Sequence, residues 1–455
     1  MIEKTYSSLH NHTQYSNLKL IDSINREEEL IDYAVELGLS GVAITDHDCL
    51  SGHLKALDYW NSLDEEKRKK CKLILGNEIY LCREGLNATN HQKGEPFYHL
   101  ILLAKDNIGH EQLRRLSSRA WERSYMKAIM RTPTYSSDLF EIVGENPGHL
   151  ICSSACLAGT LASYFKNADF ERIEPHIQAM TQLFGEGNYF IELQPSWGED
   201  QINYNRYMID NFAGKYPFIL TTDSHYLKAE DRQLHKWFLQ SKEGEREVDS
   251  FYASTYMMSY DELKDYFCSP KGTGCSEEFF DKMCANTQYI SEQIEGYSFK
   301  QSSIIPHIKF DPKPLDDFWK NKDYTNYPWI AKCIELNDIY DIEMLNLMVE
   351  QWKIRIIDAG KDESVYLARL NYELEQIMEL SAKLNQRMSN YFITMKKMID
   401  IMWDEADTLI GPSRGSAGSS IINYILGITQ IDPLTQPLEM PSWRFLHKDR
   451  VELAD

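Results

Sequence analysis

The chain has 455 residues, 43% of them hydrophobic and 12% aromatic, enough for the cores of two or three domains and far beyond a small binding module. Its 48 Lys+Arg against 69 Asp+Glu leave a formal net charge of −21, so any attraction to nucleic acid or an anionic membrane has to be local. No apolar stretch reaches the roughly 18 residues of a membrane span, and Met1–Ser8 carries no signal-type apolar run, so the expectation is a cytoplasmic protein without membrane contact. The nine Cys include no CxxC pair, which argues against a disulfide framework or a zinc knuckle.

In chain order, short β-like runs at Gly41–Thr45, Leu73–Leu81, Tyr98–Ala104, Leu150–Ser153, Tyr189–Leu193 and Phe218–Thr222 alternate with amphipathic stretches. Helices are predicted over Arg26–Leu37, Gln112–Met130, Ala168–Leu183 and Ile202–Phe212. This alternation predicts an α/β layered or barrel domain, with active residues gathered at strand C-terminal ends. We place this domain over residues 1–267, a connecting segment rich in Pro and Gly over 268–328, and a second domain over 329–455. The second domain contains a long amphipathic helix carrying Leu367, Leu370, Leu374, Ile377 and Leu384, and a further helical run around Asn390–Asp404.

Residues able to bind metal recur where a barrel would present its catalytic face. His10-Asn11-His12 puts two imidazoles on one face if the segment is a strand. Thr45-Asp46-His47 closes one strand, Glu78 lies in the next, His99 opens another, Cys156 follows Leu150–Ser153, and Asp223-Ser224-His225 ends Phe218–Thr222. These residues resemble the polymerase and histidinol phosphatase (PHP) domain family, whose slots are matched by His10, His12, Asp22, His47, Glu78, His99, Cys156, Asp223 and His225. The resemblance implies a distorted (βα)7-type barrel and a trinuclear site. His10, His12, Glu78 and Asp223 would hold one ion. Glu78 would bridge to a second held by His99 and Cys156, and Asp22, His47 and His225 would hold a third. Imidazole and carboxylate donors suit Zn, Mn or Fe, and closely spaced ions of this kind suit phosphoester hydrolysis. The remaining eight His, among them His53, His91, His110, His149 and His235, match no slot and read as surface or hydrogen-bonded core imidazoles.

Residues 411–420 read Gly-Pro-Ser-Arg-Gly-Ser-Ala-Gly-Ser-Ser, a loop of small residues whose backbone N–H groups and Arg414 can cradle a polyanion, although no Gly-Lys-Ser/Thr closes it as a P-loop. With Gly427–Leu434, Trp443–Leu446 and Lys448–Arg450 it resembles the palm entry of bacterial C-family replicative DNA polymerases, a family that places a PHP domain at its N-terminus. The resemblance covers essentially the whole chain. It implies an incomplete α+β palm, nucleotide contacts from Arg414, Gly415, Ser416, Ser419 and Arg444, a basic position at Arg450, and substrates that are a primer-template and a dNTP. The loop departs from the commoner family pattern, Pro-Gly-Arg with Ala-Ala-Gly-Ser, which bears on the backbone at Ser413 and Ser419. Asp455 matches the first of the family's catalytic Asp residues, which hold Mg. With that Asp alone the chain by itself is not expected to polymerise, and a C-terminal fragment carrying the other Asp residues is the expected partner, beside other replisome proteins.

Arg115, Arg119, Arg123, Lys127 and Arg131 recur every four residues in the predicted Gln112–Met130 helix and its end, forming a slanting basic ridge that would guide nucleic acid or simply face solvent. For the PHP site, 3′–5′ exonuclease proofreading is the expected activity, with pyrophosphate cleavage as the alternative substrate. Two other readings stand beside it: a free-standing PHP phosphoesterase acting on a small phosphate ester, and a scaffold whose metals only stabilise the fold.

Overall fold

A computed structural model describes residues 4–127, 129–241, 251–299, 304–438 and 440–450, and the chain divides into two compact units between residues 299 and 300. Seven strands form the main path of the sheet in the first unit: β1 (Ser7–Ser8), β2 (Gly41–Ile44), β3 (Lys72–Cys82), β4 (Tyr98–Ala104), β5 (Leu150–Ser153), β6 (Tyr189–Leu193) and β7 (Phe218–Leu220). They pair in chain order, with a short strand, Thr134–Tyr135, beside the end of β3. All pairs on the path are parallel except those of β4, which runs antiparallel to both β3 and β5.

The sheet curls into a barrel because both its faces are apolar. Val42, Ile44, Leu73, Leu75, Leu100, Leu102, Leu150, Cys152, Ile191 and Leu193 point outward into a core shared with the surrounding helices. The alternate residues Ala43, Ile74, Ile101, Leu103, Ile151, Phe190 and Ile219 fill the interior. This is the period of two written over every strand. Crowding inside is severe at Gly76, where an added Cβ would lie 2.6 Å from the Leu102 carbonyl oxygen and 2.9 Å from Thr45 Cγ2. The barrel closes just beyond the strand ends, where the His12 amide donates to the Ser224 carbonyl (2.9 Å) and the Ser224 amide to that of His10 (3.1 Å).

Three expectations are corrected here. The first unit does not end at residue 267: the helix Glu277–Glu292 packs on β1 and β7, and Ile290 joins Ile294 in plugging the barrel interior. Thr287 accepts the Ser7 amide at 2.9 Å, and Asn286 donates to the Phe218 carbonyl at 2.8 Å. The expected connecting segment therefore belongs partly to the barrel, while Ile305, Leu315 and Trp319 are buried in the core of the second unit. Finally, the helix predicted over Gln112–Met130 spans Asn107–Glu122 and gives way to a small hairpin, Tyr125–Met126 with Met130–Arg131.

The second unit is helical, with no strand among its described residues. Helices Pro328–Leu336, Ile339–Trp352, Glu363–Leu384, Ser389–Asp404 and Ile421–Ile425 enclose a core of Trp319, Trp352, Leu345, Leu370, Leu374, Ile377, Phe392 and Ile422. Residues 451–455, which include Asp455, lie outside the described residues.

Candidate metal centre

The barrel geometry brings the histidines and carboxylates together. Parallel strands deliver His10 and His12 just beyond β1, His47 beyond β2, Glu78 within β3, Cys156 beyond β5, and Asp223 and His225 beyond β7. His99 joins them at the start of its strand because β4 runs the other way, bringing its N-terminal end to the same mouth. Asp223 adopts a left-handed φ of 49°, an uncommon conformation for a residue with a side chain, as the chain turns past β7.

His10 Nε2 and His12 Nε2 are 3.2 Å apart, and each lies within 3.2 Å of Asp223 Oδ1. Glu78 Oε2 is 3.3 Å from His12 Nε2 and 2.5 Å from His47 Nδ1, while Oε1 is 2.6 Å from His99 Nδ1. Cys156 Sγ is 3.5 Å from that same His99 nitrogen. Asp22 Oδ2 lies 2.9 Å from His47 Nε2 and 3.2 Å from His225 Nε2. Three groups have the convergence a cation requires: His10, His12 and Asp223; Glu78, His99 and Cys156; and His12, His47 and His225.

The donor set fits metal ions. Both Glu78 carboxylate oxygens and Asp223 Oδ1 are buried against imidazole nitrogens without hydrogen-bonding geometry, a costly state that a cation taking their lone pairs would relieve. The donor spacings are close to the roughly 3.3 Å edge of a tetrahedron drawn at ordinary zinc–ligand distances. Electrostatics point the same way. Burial would push His47 down, but Glu78 and Asp22 reverse this and hold it up at about 10. Burial, His47 and His225 together drive His12 down to about 3. Burial would raise Glu78, yet His99 and His47 hold it well below the usual carboxylate range. Burial first, then Asp223 and Glu78, pushes the Cys156 thiol up. Protons thus balance the carboxylates where cations would.

A surrounding layer of hydrogen bonds fixes the ligand orientations, and most of it is not legible as a motif. Glu192, buried at the end of β6, lies 2.7 Å from His10 Nδ1 and also receives Ser153 Oγ, Thr221 Oγ1 and Gln194 Nε2. It therefore takes the Nδ1 proton and leaves Nε2 facing the cluster. Ser16 does the same for His12 Nδ1 at 3.0 Å while donating to Asp46, the middle residue of Thr45-Asp46-His47. Tyr252 donates to Asp22 Oδ1 at 2.5 Å, and His235, expected to have no part in the site, donates Nε2–H to the Asp22 carbonyl. Lys19 places a buried ammonium 2.6 Å from Asp48 and 3.2 Å from the Tyr80 ring centroid, and the Tyr80 hydroxyl is 2.9 Å from His47 Nδ1. A polar residue in phase with an inward apolar one, as Glu192 is with Phe190, is the sequence signal that could have found it.

In the second unit the Gly-Ser loop forms a short 3-10 turn over Gly415–Ser419, with Gly415 in the left-handed region at φ 59°. Buried Glu373 accepts the Ser420 hydroxyl and the Ile421 and Ile422 amides, securing the helix that follows. Arg369 pairs with Glu373 and donates to the Ser419 and Met440 carbonyls. Arg414, Gly415, Ser416 and Arg444 are exposed, whereas Ser419 is buried and donates its hydroxyl to the Ser416 carbonyl, so its side chain serves the loop itself. The unusual loop sequence has a packing side: a Cβ at Gly418 would lie 2.6 Å from Ser413 Oγ, so a side chain at 418 would displace the Ser413 hydroxyl. Downstream, Asp432 binds Lys361 and Tyr366, and Arg355 donates to the Tyr424 and Thr429 carbonyls, anchoring the segment from Gly427 to Leu434.

Part of the basic ridge is engaged in ion pairs. Arg115 pairs with Glu145, Arg119 with Glu141 and Asp138, and Arg123 with Asp138, so their charge is spent joining the helix Asn107–Glu122 to Ser136–Glu145. Lys127 and Arg131 lie in the hairpin beyond it, Arg131 over the Phe97 ring.

A closed, curled sheet with a histidine–carboxylate cluster at its mouth is an arrangement suited to metal binding, and residues 8–196 match the family described as PHP domain. Residues 343–455 match the Bacterial DNA polymerase III alpha NTPase domain. The chain is similar over 98% of its length to the "Probable DNA polymerase YorL" of Bacillus subtilis (strain 168) and to a "DNA-directed DNA polymerase" of Bacillus phage SPbeta, each 38% identical over 479 residues. It is 28% identical over 471 residues to the "DNA polymerase III subunit alpha" of Aquifex aeolicus (strain VF5). It spans 36% of the length of each of these relatives. Residues 8–196 are thus similar to PHP domains and residues 343–455 to the DNA polymerase III alpha NTPase domain, and the chain is similar to DNA polymerase III alpha subunits over nearly its whole length.

Proposed function

We propose that this chain works in DNA replication and that its PHP domain is a metal-dependent phosphoesterase removing nucleotides from DNA 3′ ends. The observation that carries the reading is the convergence of eight donor residues at the barrel mouth, with Asp22 beside His47 and His225, and with Glu78 and Asp223 oxygens facing imidazoles without hydrogen-bonding geometry. His10, His12, Glu78 and Asp223 would hold one cation, Glu78, His99 and Cys156 a second, and Asp22, His47 and His225 a third. Zn, Mn or Fe suits these donors. Bound cations of this kind neutralise phosphate oxygens and acidify water.

The chain's own residues hold that arrangement. Glu192 and Ser16 keep His10 and His12 turned toward the centre, and Tyr252 and His235 fix Asp22 from behind. In the reaction a water oxygen bonds to phosphorus and the P–O3′ bond breaks. The water proton ends on O3′ of the shortened strand, and a nucleoside 5′-monophosphate leaves.

For the second unit, exposed Arg414, Gly415, Ser416 and Arg444 are the proposed contacts of a dNTP triphosphate, with Mg at the polymerase centre and a primer-template as the other substrate. Exposed Lys127 and Arg450 are the proposed DNA contacts among the basic residues. Among the described residues no helix is long and apolar enough to cross a membrane.

A 3′-end-labelled primer tests the reading. Release of labelled nucleotide by the metal-replete chain, abolished by a chelator and restored by Mn, is expected. A metal-replete chain that leaves the primer intact contradicts it.

A further inference from the structure

A cleft of about 380 Å³ lies against the metal centre, and the functional reading above does not use it. Its walls are neighbours of the proposed ligands. Leu157 follows Cys156 and Thr222 precedes Asp223 in the chain. Gln194 donates to Glu192, the residue that holds His10, at 3.2 Å. The Thr255 carbonyl accepts the His225 amide at 2.8 Å. The cleft and the cluster are therefore built by the same strand ends.

The lining chemistry is selective. No Lys, Arg or His lines the cleft among the described residues, and Glu199 and Asp200 stand on its rim. Among the described residues, a second phosphate group would meet acids with no cation beside them. Amide and hydroxyl groups of Gln194, Ser196 and Ser254 alternate instead with the apolar side chains of Leu157, Pro195 and Phe251. Thr222, 1% exposed, also contributes a hydroxyl that has no hydrogen-bond partner within the protein. Polar groups with both donor and acceptor capacity, set among apolar walls, match a neutral heterocyclic base and a sugar.

We propose that this cleft is the subsite for the nucleoside of the 3′-terminal nucleotide, holding base and sugar while the scissile phosphate lies at the metal centre. The assignment rests on the phosphoesterase reading and deepens it. It makes the substrate an organic nucleotide ester and disfavours inorganic pyrophosphate, whose second phosphate would meet Glu199 and Asp200 with no cation among the described lining residues.

Calorimetric titration of the Mn-loaded chain with thymidine 5′-monophosphate and, separately, inorganic phosphate tests it. In the parent the nucleotide binds at least tenfold more tightly than phosphate. Ser196→Trp, which fills the cleft from a half-exposed position, brings the two affinities to within about twofold. Leu157→Trp, a second lining position, does the same, and metal content measured on both variants verifies that the centre is still assembled. Equal affinity for nucleotide and phosphate in the parent, or a preference that survives both substitutions, overturns the cleft assignment alone. A Mn-loaded parent that binds neither probe overturns the phosphoesterase reading and this assignment with it.

Discussion

Single side chains do two kinds of work in this molecule: some can meet a cation, and others decide where those point. Glu192 is of the second kind, because its carboxylate fixes the tautomer of His10 at 2.7 Å without facing the cluster itself. Glu192→Gln keeps the volume and loses the charge, and should weaken metal binding by about 10- to 100-fold with the fold retained. Competition against a fluorescent chelator measures this, and an unchanged affinity would remove the orienting role. The pair Ser413 and Gly418 behaves differently, as a matter of space. Gly418→Ala should destabilise by about 1–3 kcal/mol by driving a methyl into Ser413 Oγ, and Ser413→Gly in the same chain should restore most of the loss. Thermal unfolding of the two single variants and the double variant separates this from a general intolerance of change at 418.

At the scale of elements, charge placed on a helix is not charge offered to solvent. Arg123 closes on Asp138, whose side chain is 4% exposed, and that carboxylate also caps the next helix by accepting the Tyr135 amide. Arg123→Ala should lower stability by about 1 kcal/mol, discounted for the partial exposure of Arg123, while DNA affinity and its salt slope stay unchanged. A fall in the salt slope would return the residue to a nucleic-acid role. This was not legible from the four-residue spacing, since the predicted helix ran on to Met130 where the chain turns into a hairpin at Tyr125. The strands were legible, because Leu73–Leu81 and Tyr98–Ala104 carry apolar residues on both faces and are bounded by turns. The extent of the first unit was not. Phe280, Met283 and Ile290 belong to an amphipathic helix that resembles any other, and only the barrel interior it plugs reveals its place. The nine donor positions stood out by recurring at strand ends. Their supports, Ser16, Glu192, Tyr252 and His235, are ordinary residues until the fold brings them within hydrogen-bonding distance.

Across the molecule, buried imidazoles tie stability to pH. His53 donates Nε2–H to the Gly76 carbonyl, so its Nδ1 must accept from His110 Nε2–H, and a second proton would displace that bond on His53 or sit on His110 Nδ1 without an acceptor among the described residues. Burial, with His110 beside it, brings His53 down to about 3. Burial also brings His110, His176 and His235 down to about 4. All four titrate near 6.5 when unfolded, so the stability they contribute is complete above pH 6.5 and is lost as pH falls toward 4. The unfolding temperature should drop over that interval, and one that rises would contradict the neutral assignment. Metal should act in the opposite direction, raising the unfolding temperature wherever it relieves the crowded carboxylates of Asp22, Glu78 and Asp223. The central claim is that these carboxylates and their histidines form a phosphodiester-cleaving centre, and it is tested most directly by the rate of nucleoside monophosphate release from a 3′-end-labelled primer. We predict that Mn-loaded parent chain releases nucleotide and that His12→Ala and Asp223→Asn each lower the rate at least 100-fold while remaining folded. Equal rates in parent and variants, or no release by a parent shown to contain metal, would contradict the account.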